Sequence, residues 1–301
     1  MQNDDADVLF DAIVVGGSYA GLSAAMQLAR ARQRVLVIDA GVRRNRFATH
    51  AHGLIGQDGR PPEVIAEEAR AQVLAYPNVR WRHGSATQAS GRSEEFVVEV
   101  DDGSRRRARR LVLATGIEDE LPAIDGLRER WGRSVFHCPY CHGYELDRGR
   151  IGVIAVGELS MHHGLMLPDW GTTTLLVNAA FEPSDEQRAA LARRGAVIEP
   201  ARIARVDGIA TVVFEDGRRI DFDGLFVATR TRVNSPLAGQ LGCEFEQGPL
   251  GAFIRTDALK ATSVAGVFAC GDAARGAHSI AFAIGDGAQA GASAHRSLMF
   301  D

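Results

Sequence analysis

The residues of this chain best suited to chemistry lie near its middle, in VFHCPYCHGYEL, Val135 to Leu146. Cys138 and Cys141 stand two residues apart, flanked by His137 and His142. Thiolates serve as nucleophiles, metal ligands and disulfide partners, and imidazole titrates near neutral pH. The cluster therefore suits a zinc knuckle, a glutaredoxin-like site, or a disulfide that exchanges electrons with a bound cofactor. A structural zinc site wants four ligands, usually as two close pairs. The other cysteines, Cys243 and Cys270, are solitary, so no metal is expected here. The tandem His162-His163 opens a predicted helix, where adjacent residues point apart, and is expected to be a surface pair. A glutaredoxin-like domain would need its own compact fold around the motif. The surrounding chain offers a different frame.

That frame comes from three strands ending in glycine turns. In DAIVVGGSYAGLSAAMQLARA, Ala12 to Val15 read as a buried parallel strand, Gly16 to Gly21 as a tight turn and Leu22 to Ala31 as a helix. A second strand, RVLVIDA, ends in Asp39, 23 positions after Gly16. This is a βαβ dinucleotide fingerprint with Ser18 in place of the middle glycine: helix N–H groups would hold a pyrophosphate, and Asp39 an adenosine ribose. The segment after Asp39 is long, glycine-rich and basic, with the composition to wrap a large cofactor, and Pro61-Pro62 introduce a helix bearing Ile65, Ala69 and Val73. A second strand–turn–helix–strand runs from Ile151 to Val177, yet its turn reads Gly157, Glu158, Leu159, Ser160, Met161, His162. Only the first glycine position matches. Leu159 would block phosphate approach, Glu158 adds negative charge, and the strand ends at Asn178 with neither an acid nor an arginine cluster. The layout looks duplicated and the binding site lost. A third landmark, GVFACGDAARG, places Cys270 in a buried strand and Asp272 at its C-terminal edge, where it suits a sugar-alcohol hydroxyl.

Composition excludes several classes. The 301 residues are 46% hydrophobic with a net charge of −4, so no global field favours nucleic acid or an anionic membrane. The basic run Ser104 to Arg110 follows a DDG turn and is expected to be the solvated face of a hairpin strand. No secretory leader is evident at the N-terminus, and no stretch approaches the ~20 apolar residues of a membrane span. Four cysteines are too few for a secreted disulfide scaffold, and a cytoplasmic setting is expected. Trp131 and Trp170 are read as packing residues.

Taken together, VVGGSYAGLSAA, LVLATG, CPYCHGYE, DGLFVATR and GVFACGDAA resemble, in order and across essentially the whole chain, the low-molecular-weight thioredoxin reductase family of flavoproteins. GGSYAG, RNRFATHAHG, QDGRPP and CPYCHGYE are most similar to its branch of gliotoxin- and holomycin-type dithiol oxidases. The resemblance implies an α/β fold of two Rossmann-like domains of the three-layer ββα kind. Residues 1–116 and 241–301 would form a discontinuous FAD domain, and 117–240 an inserted NADPH-type domain carrying the cysteine pair. It implies FAD held at Gly16, Gly17, Ser18, Tyr19, Ala20 and Gly21, with Asp39 and Ala40 at the next strand end. Asn45, Arg46 and His52 would follow in the long loop, then Ala86, and then Ala114, Thr115 and Gly116. The C-terminal contacts would be Gly271 and Asp272, with His278, Ser279 and Ile280 where ordinary members carry an Arg-Gln-Ala turn. It makes Cys141 the sulfur beside the flavin and Cys138 the outer sulfur that meets substrate. His142 replaces the usual acid as proton acceptor and donor.

The expected function is an FAD-dependent thiol–disulfide oxidoreductase working oxidatively, from a small dithiol or a thioredoxin-like protein through FAD to oxygen or another acceptor. The alternatives are a disulfide reductase fed by NADPH or another donor, and a flavin redox sensor without turnover. A homodimer is implied by the family.

Overall fold

In the computed structural model, which describes residues 8–300, the chain forms two compact units. The first contains the residues up to Arg44, Glu63–Glu118 and those from Thr231 onward; the second contains Asn45–Pro62 and Asp119–Arg230. Part of the N-terminal stretch read for a leader, residues 1–7, lies outside the described residues. Among the described residues no helix is long and apolar enough to cross a membrane.

The first unit opens with β1 (Leu9–Val15), α1 (Tyr19–Arg30) and β2 (Val35–Asp39). Apolar residues on both faces of β1 and β2 suit strands covered on both sides, and Ile13, Val14, Val35 and Val37 are fully buried. Helix α2 (Pro62–Leu74) begins at its proline, as expected for a residue whose missing N–H costs nothing in the first turn. It leads to β3 (Val79–His83), β4 (Ala86–Arg92), β5 (Glu95–Val100) and β6 (Arg105–Leu113). The sheet order is β3-β2-β1-β6-β5-β4. Strands β1 to β3 and β6 run parallel, and β4-β5-β6 form an antiparallel meander. The first half of β6 is the expected basic strand. Its last arginine is a correction: Arg110 is 1% exposed, because β6 turns there from meander into central sheet. Its guanidinium donates to the Ser297 hydroxyl at 2.7 Å and carbonyl at 2.8 Å and pairs with Glu94.

The chain leaves this unit along β7 (Ile117–Glu120). In the second unit, β8 (Val135–Phe136), α3 (Pro139–His142), β9 (Arg148–Ile154), α4 (Met161–Met166), β10 (Gly171–Leu176), α5 (Asp185–Arg193) and β11 (Val197–Glu199) follow. Next come β12 (Ile203–Asp207), β13 (Thr211–Phe214), β14 (Arg219–Asp221) and β15 (Gly224–Val227). A parallel sheet of order β11-β10-β9-β15-β8 carries a core on each face. Ile154 and Leu176 pack with Val206, Val212 and Phe214 of the antiparallel β12-β13-β14 sheet. Ile151, Val153 and Leu175 pack with Met161 and Leu191 of α4 and α5. Strand alternation puts successive residues on opposite faces, which is why one strand feeds both cores. The result is a three-layer ββα unit.

The chain returns along β16 (Arg230–Val233), which pairs with β7. Then come α6 (Leu237–Gln240), the hairpin β17 (Phe245–Gln247) and β18 (Ala252–Ile254), and β19 (Val267–Ala269), which joins β6. The last helix, α7 (Ile280–Phe300), packs along α1. A Cβ on Gly287 would lie 2.1 Å from the Ala20 carbonyl oxygen, and one on Gly291 2.4 Å from that of Ala24. Only glycine permits so close a crossing.

Candidate active site

Cys138 precedes α3 in extended conformation and Pro139 occupies its first turn. One helical turn brings positions i and i+3 together. Cys138 and Cys141 accordingly form a disulfide with Cα atoms 5.3 Å apart. Gly143 closes the turn by donating to the Pro139 carbonyl at 2.7 Å, and a Cβ there would meet the Trp170 ring at 2.7 Å. Tyr140 sets its ring edge-on to Trp170 at 5.3 Å. Trp131 packs on a core and lies 6.1 Å from the His137 ring.

His142 stacks on Phe136, centroids 4.2 Å apart, and neither of its buried ring nitrogens has a hydrogen-bond partner. Burial, helped by the neighbouring His52, pushes its pKa down to about 4. The ring is therefore neutral at physiological pH, able to accept a proton and poorly able to keep it. His52 is set between two carboxylates, its Nε2 3.5 Å from Glu145 and its Nδ1 3.6 Å from Asp58. Sequence reading missed both acids. Glu145 stood inside the quoted CPYCHGYE motif, four residues after Cys141, and Asp58 inside QDGRPP, but neither was given a role.

In the first unit the glycine turn has the expected build. Gly16, at φ +103°, would drive a Cβ to 2.2 Å from the Ala114 carbonyl oxygen. At Gly21 a Cβ would lie 1.7 Å from the Gly16 oxygen. The Gly17 N–H donates to Asp39 Oδ1 at 2.9 Å, tying the acid to the turn. Ser18 sits at φ −92°, so its position makes no demand for glycine, and its carbonyl accepts from Leu22 at 2.8 Å. Tyr19 and Ala20 open α1 and are buried. The adjacent Thr115 hydroxyl is buried without a partner, and Gly116, at φ +65°, accepts from the Asn234 N–H at 3.1 Å. Gly271 packs close to the same turn: a Cβ there would lie 2.8 Å from that of Ala20. A backbone cradle with an orphaned hydroxyl beside it and an acid at the next strand end fits a dinucleotide such as FAD.

Other predicted positions are placed less centrally. Asp272 carries an ion pair with Arg44 at 2.9 Å. The His278 ring meets the Arg275 carbonyl at 3.1 Å, and the Ser279 hydroxyl accepts from the Phe282 N–H at 3.1 Å, capping α7 where Ile280 begins it. Ala40 follows directly on β2. Ala86 lies on the edge strand β4, packed on the core, with β6 and β5 between it and β1. Asn45, Arg46 and His52 belong to the second unit, with the cysteines.

The second unit's turn is committed to the fold. Gly157 is at φ +148°, and the Ser160 hydroxyl accepts from the Val156 N–H at 3.0 Å. The Glu158 carboxylate accepts from Gln187 at 2.7 Å, and the Asn178 side-chain oxygen from the Ile203 N–H at 2.8 Å. A 3₁₀ turn, Glu158–Ser160, separates Gly157 from α4, which has only six residues. His162 is exposed as expected. His163 is not: it is 7% exposed, because α4 turns it onto Phe226 in the core. Burial pushes its pKa down to about 4. Among the described residues no cluster could hold a metal ion.

Known proteins share this architecture. The chain is 33% identical over 97% of its length to thioredoxin reductase tcpT of Claviceps purpurea, 95% of which is covered. It is 31% identical to thioredoxin reductase sirT of Leptosphaeria maculans, over 94% of this chain and 92% of that one. Among solved structures, an oxidoreductase from Agrobacterium tumefaciens is 56% identical with a TM-score of 0.95, covering 97% of this chain and 99% of that one. The HlmI structure is 33% identical with a TM-score of 0.88, over 96% and 92% of the two chains. A pyridine nucleotide-disulphide oxidoreductase family model matches residues 10–290. With the cysteine pair closed as a disulfide and a dinucleotide cradle in the other unit, the chain belongs to that family, as an FAD-dependent, thioredoxin reductase-like oxidoreductase acting on disulfides.

Proposed function

We propose that the protein is a dithiol oxidase. The observation that carries this reading is the pairing of an intact Cys138–Cys141 disulfide with a second nucleotide turn whose polar groups are spent on the fold. A pyridine nucleotide needs an unobstructed second position at that turn; here Leu159 fills it, Glu158 adds a carboxylate, and the Ser160 and Asn178 side chains are bonded to the backbone at Val156 and Ile203. Electrons therefore enter from thiols.

One substrate thiolate attacks Cys138, breaking the Cys138–Cys141 bond, forming a mixed disulfide and releasing Cys141 as a thiolate. The second substrate thiol then attacks the mixed disulfide. The substrate leaves as a disulfide, and two electrons and two protons remain on the cysteine pair. Neutral His142 accepts a substrate proton and passes it on, and His52, with Glu145 and Asp58 beside it, is the next polar group along this side of the turn. FAD, when bound, supplies the acceptor for the electron pair, which oxygen or another acceptor then removes. The substrate is a small dithiol or a thioredoxin-like protein, and the working form a cytoplasmic homodimer.

A disulfide reductase is the second reading, favoured by relatives named thioredoxin reductase. An anaerobic absorbance titration separates the two. The oxidase reading expects no bleaching of the yellow protein by NADPH, bleaching by dithiothreitol and recovery in air. Prompt bleaching by NADPH makes it a reductase.

A further inference from the structure

The segment that would hold the nucleotide has a second relationship, to the cysteines. His163 of α4 hydrogen-bonds the backbone of His137, the residue directly before Cys138. Its ring lies 6.1 Å from Phe226, Phe226 lies 5.7 Å from Phe136, and Phe136 stacks on His142. At the far end of the same segment, Trp170 meets Tyr140 edge-on and presses on Gly143 too closely for any Cβ. The stretch from α4 to Trp170 thus touches the CPYC turn on both sides: before Cys138 through a buried polar contact, and after Cys141 through an indole.

We propose that the stretch from α4 to Trp170 is the buttress of the redox disulfide, with His163 and Trp170 as positioning residues that hold the Cys138–Cys141 turn in its closed geometry. The proposal rests on the reading of that pair as the redox centre. Closing a disulfide costs less when its two cysteines are already held at bonding distance, so a rigid turn favours the disulfide over the open dithiol. The His163 contact restrains the backbone at His137, directly before Cys138. Gly143 and Tyr140 fix the other end. A buttress therefore sets the position of a balanced exchange: two electrons and two protons pass from an external dithiol to the pair, one S–S bond forming as the other breaks.

The test is thiol–disulfide equilibration of the holoenzyme under nitrogen in reduced and oxidised dithiothreitol. The state of Cys138 and Cys141 is read by alkylation and mass spectrometry. His163→Leu keeps the volume and removes the polar contact, His163→Gln retains a donor, and Trp170→Leu removes the indole from a partly exposed position. The equilibrium should shift toward the open dithiol about five- to ten-fold in His163→Leu and Trp170→Leu, the scale of one lost hydrogen bond or ring contact. His163→Gln should lie nearer the wild type. If His163→Leu does not fold, Trp170→Leu decides. Equilibria within two-fold of wild type in the folded variants overturn the buttress while leaving the redox pair intact. A wild-type pair that no dithiol opens overturns the redox reading, and the buttress with it.

Discussion

At the scale of single residues, the proposed chemistry draws on sulfur and imidazole held in unlike settings. Cys138 and Cys141 share one turn, whereas Cys270 is buried with its thiol pushed up to about 12 and behaves as a small core residue. Cys138→Ser should abolish multiple turnover with dithiothreitol, by at least 10³-fold in steady-state oxygen uptake, with the yellow colour retained. A wild type that itself shows no multiple turnover would mark a sensor. His142 and His163 act on stability as well. Each has a pKa of about 4 when folded, against an ordinary value of 6.5. The unfolded chain thus binds more protons between those values. Stability is full above about pH 6.5 and falls as the pH drops toward 4, by up to ~3 kcal/mol per ring at about 1.4 kcal/mol per unit. Urea midpoints measured from pH 7 to pH 4 should show this loss, and it should be roughly halved in His142→Phe. An unchanged slope would remove His142 from the account.

Elements decide what those residues can reach. In the first turn, Gly16 and Gly21 are required by backbone contacts, and Ser18 is not. Gly21→Ala should lose the cofactor from the purified protein and cost about 2–4 kcal/mol of stability, the cost of strain at a fixed close approach. Ser18→Gly should keep FAD and lose no more than about 1 kcal/mol. The second turn makes the opposite point. Replacing Leu159 by glycine and Glu158 by alanine should not restore NADPH binding, measured calorimetrically, because Asn178 and Ser160 remain bonded into the fold and α4 is short. Appearance of binding at micromolar NADPH in that double variant would show the loss to be two side chains deep.

On the scale of the whole chain, each unit closes through contacts between distant segments. Residues from Thr231 onward return to the first unit, where β19 joins β6 and α7 crosses α1 at glycine contacts. Arg110 secures the end of α7, 187 positions away, through two hydrogen bonds to Ser297. Removing one partner of a buried charged network leaves the rest unsatisfied. Arg110→Ala should therefore cost about 3 kcal/mol by chemical denaturation. Hydrogen exchange should then be faster over the last two turns of α7, with the second unit unchanged. Exchange unaffected at α7 would mean the anchor is elsewhere.

Local pattern made much of this legible in the sequence. The glycine turn, the acid at the end of β2 and the CPYC pair are short-range arrangements whose geometry follows from backbone sterics and helical spacing, and the family resemblance followed from their order. The departure of the second turn from the glycine pattern, with Leu159 at the second glycine position, was also readable, because it is a matter of residue identity alone. Tertiary structure alone decided what depends on distant neighbours. Arg110 and His163 sit in polar or tandem stretches that read as surface, and both are buried because β6 and α4 turn them inward. Asp58 reaches His52 only through the folded loop, and the lowered pKa of His142 arises from its burial and, less, from the nearby His52, neither of which any spacing announces. Sequence specifies which groups are available and which turns they ride on; burial, and with it charge state, belongs to the packed whole, because desolvation is set by everything around a group.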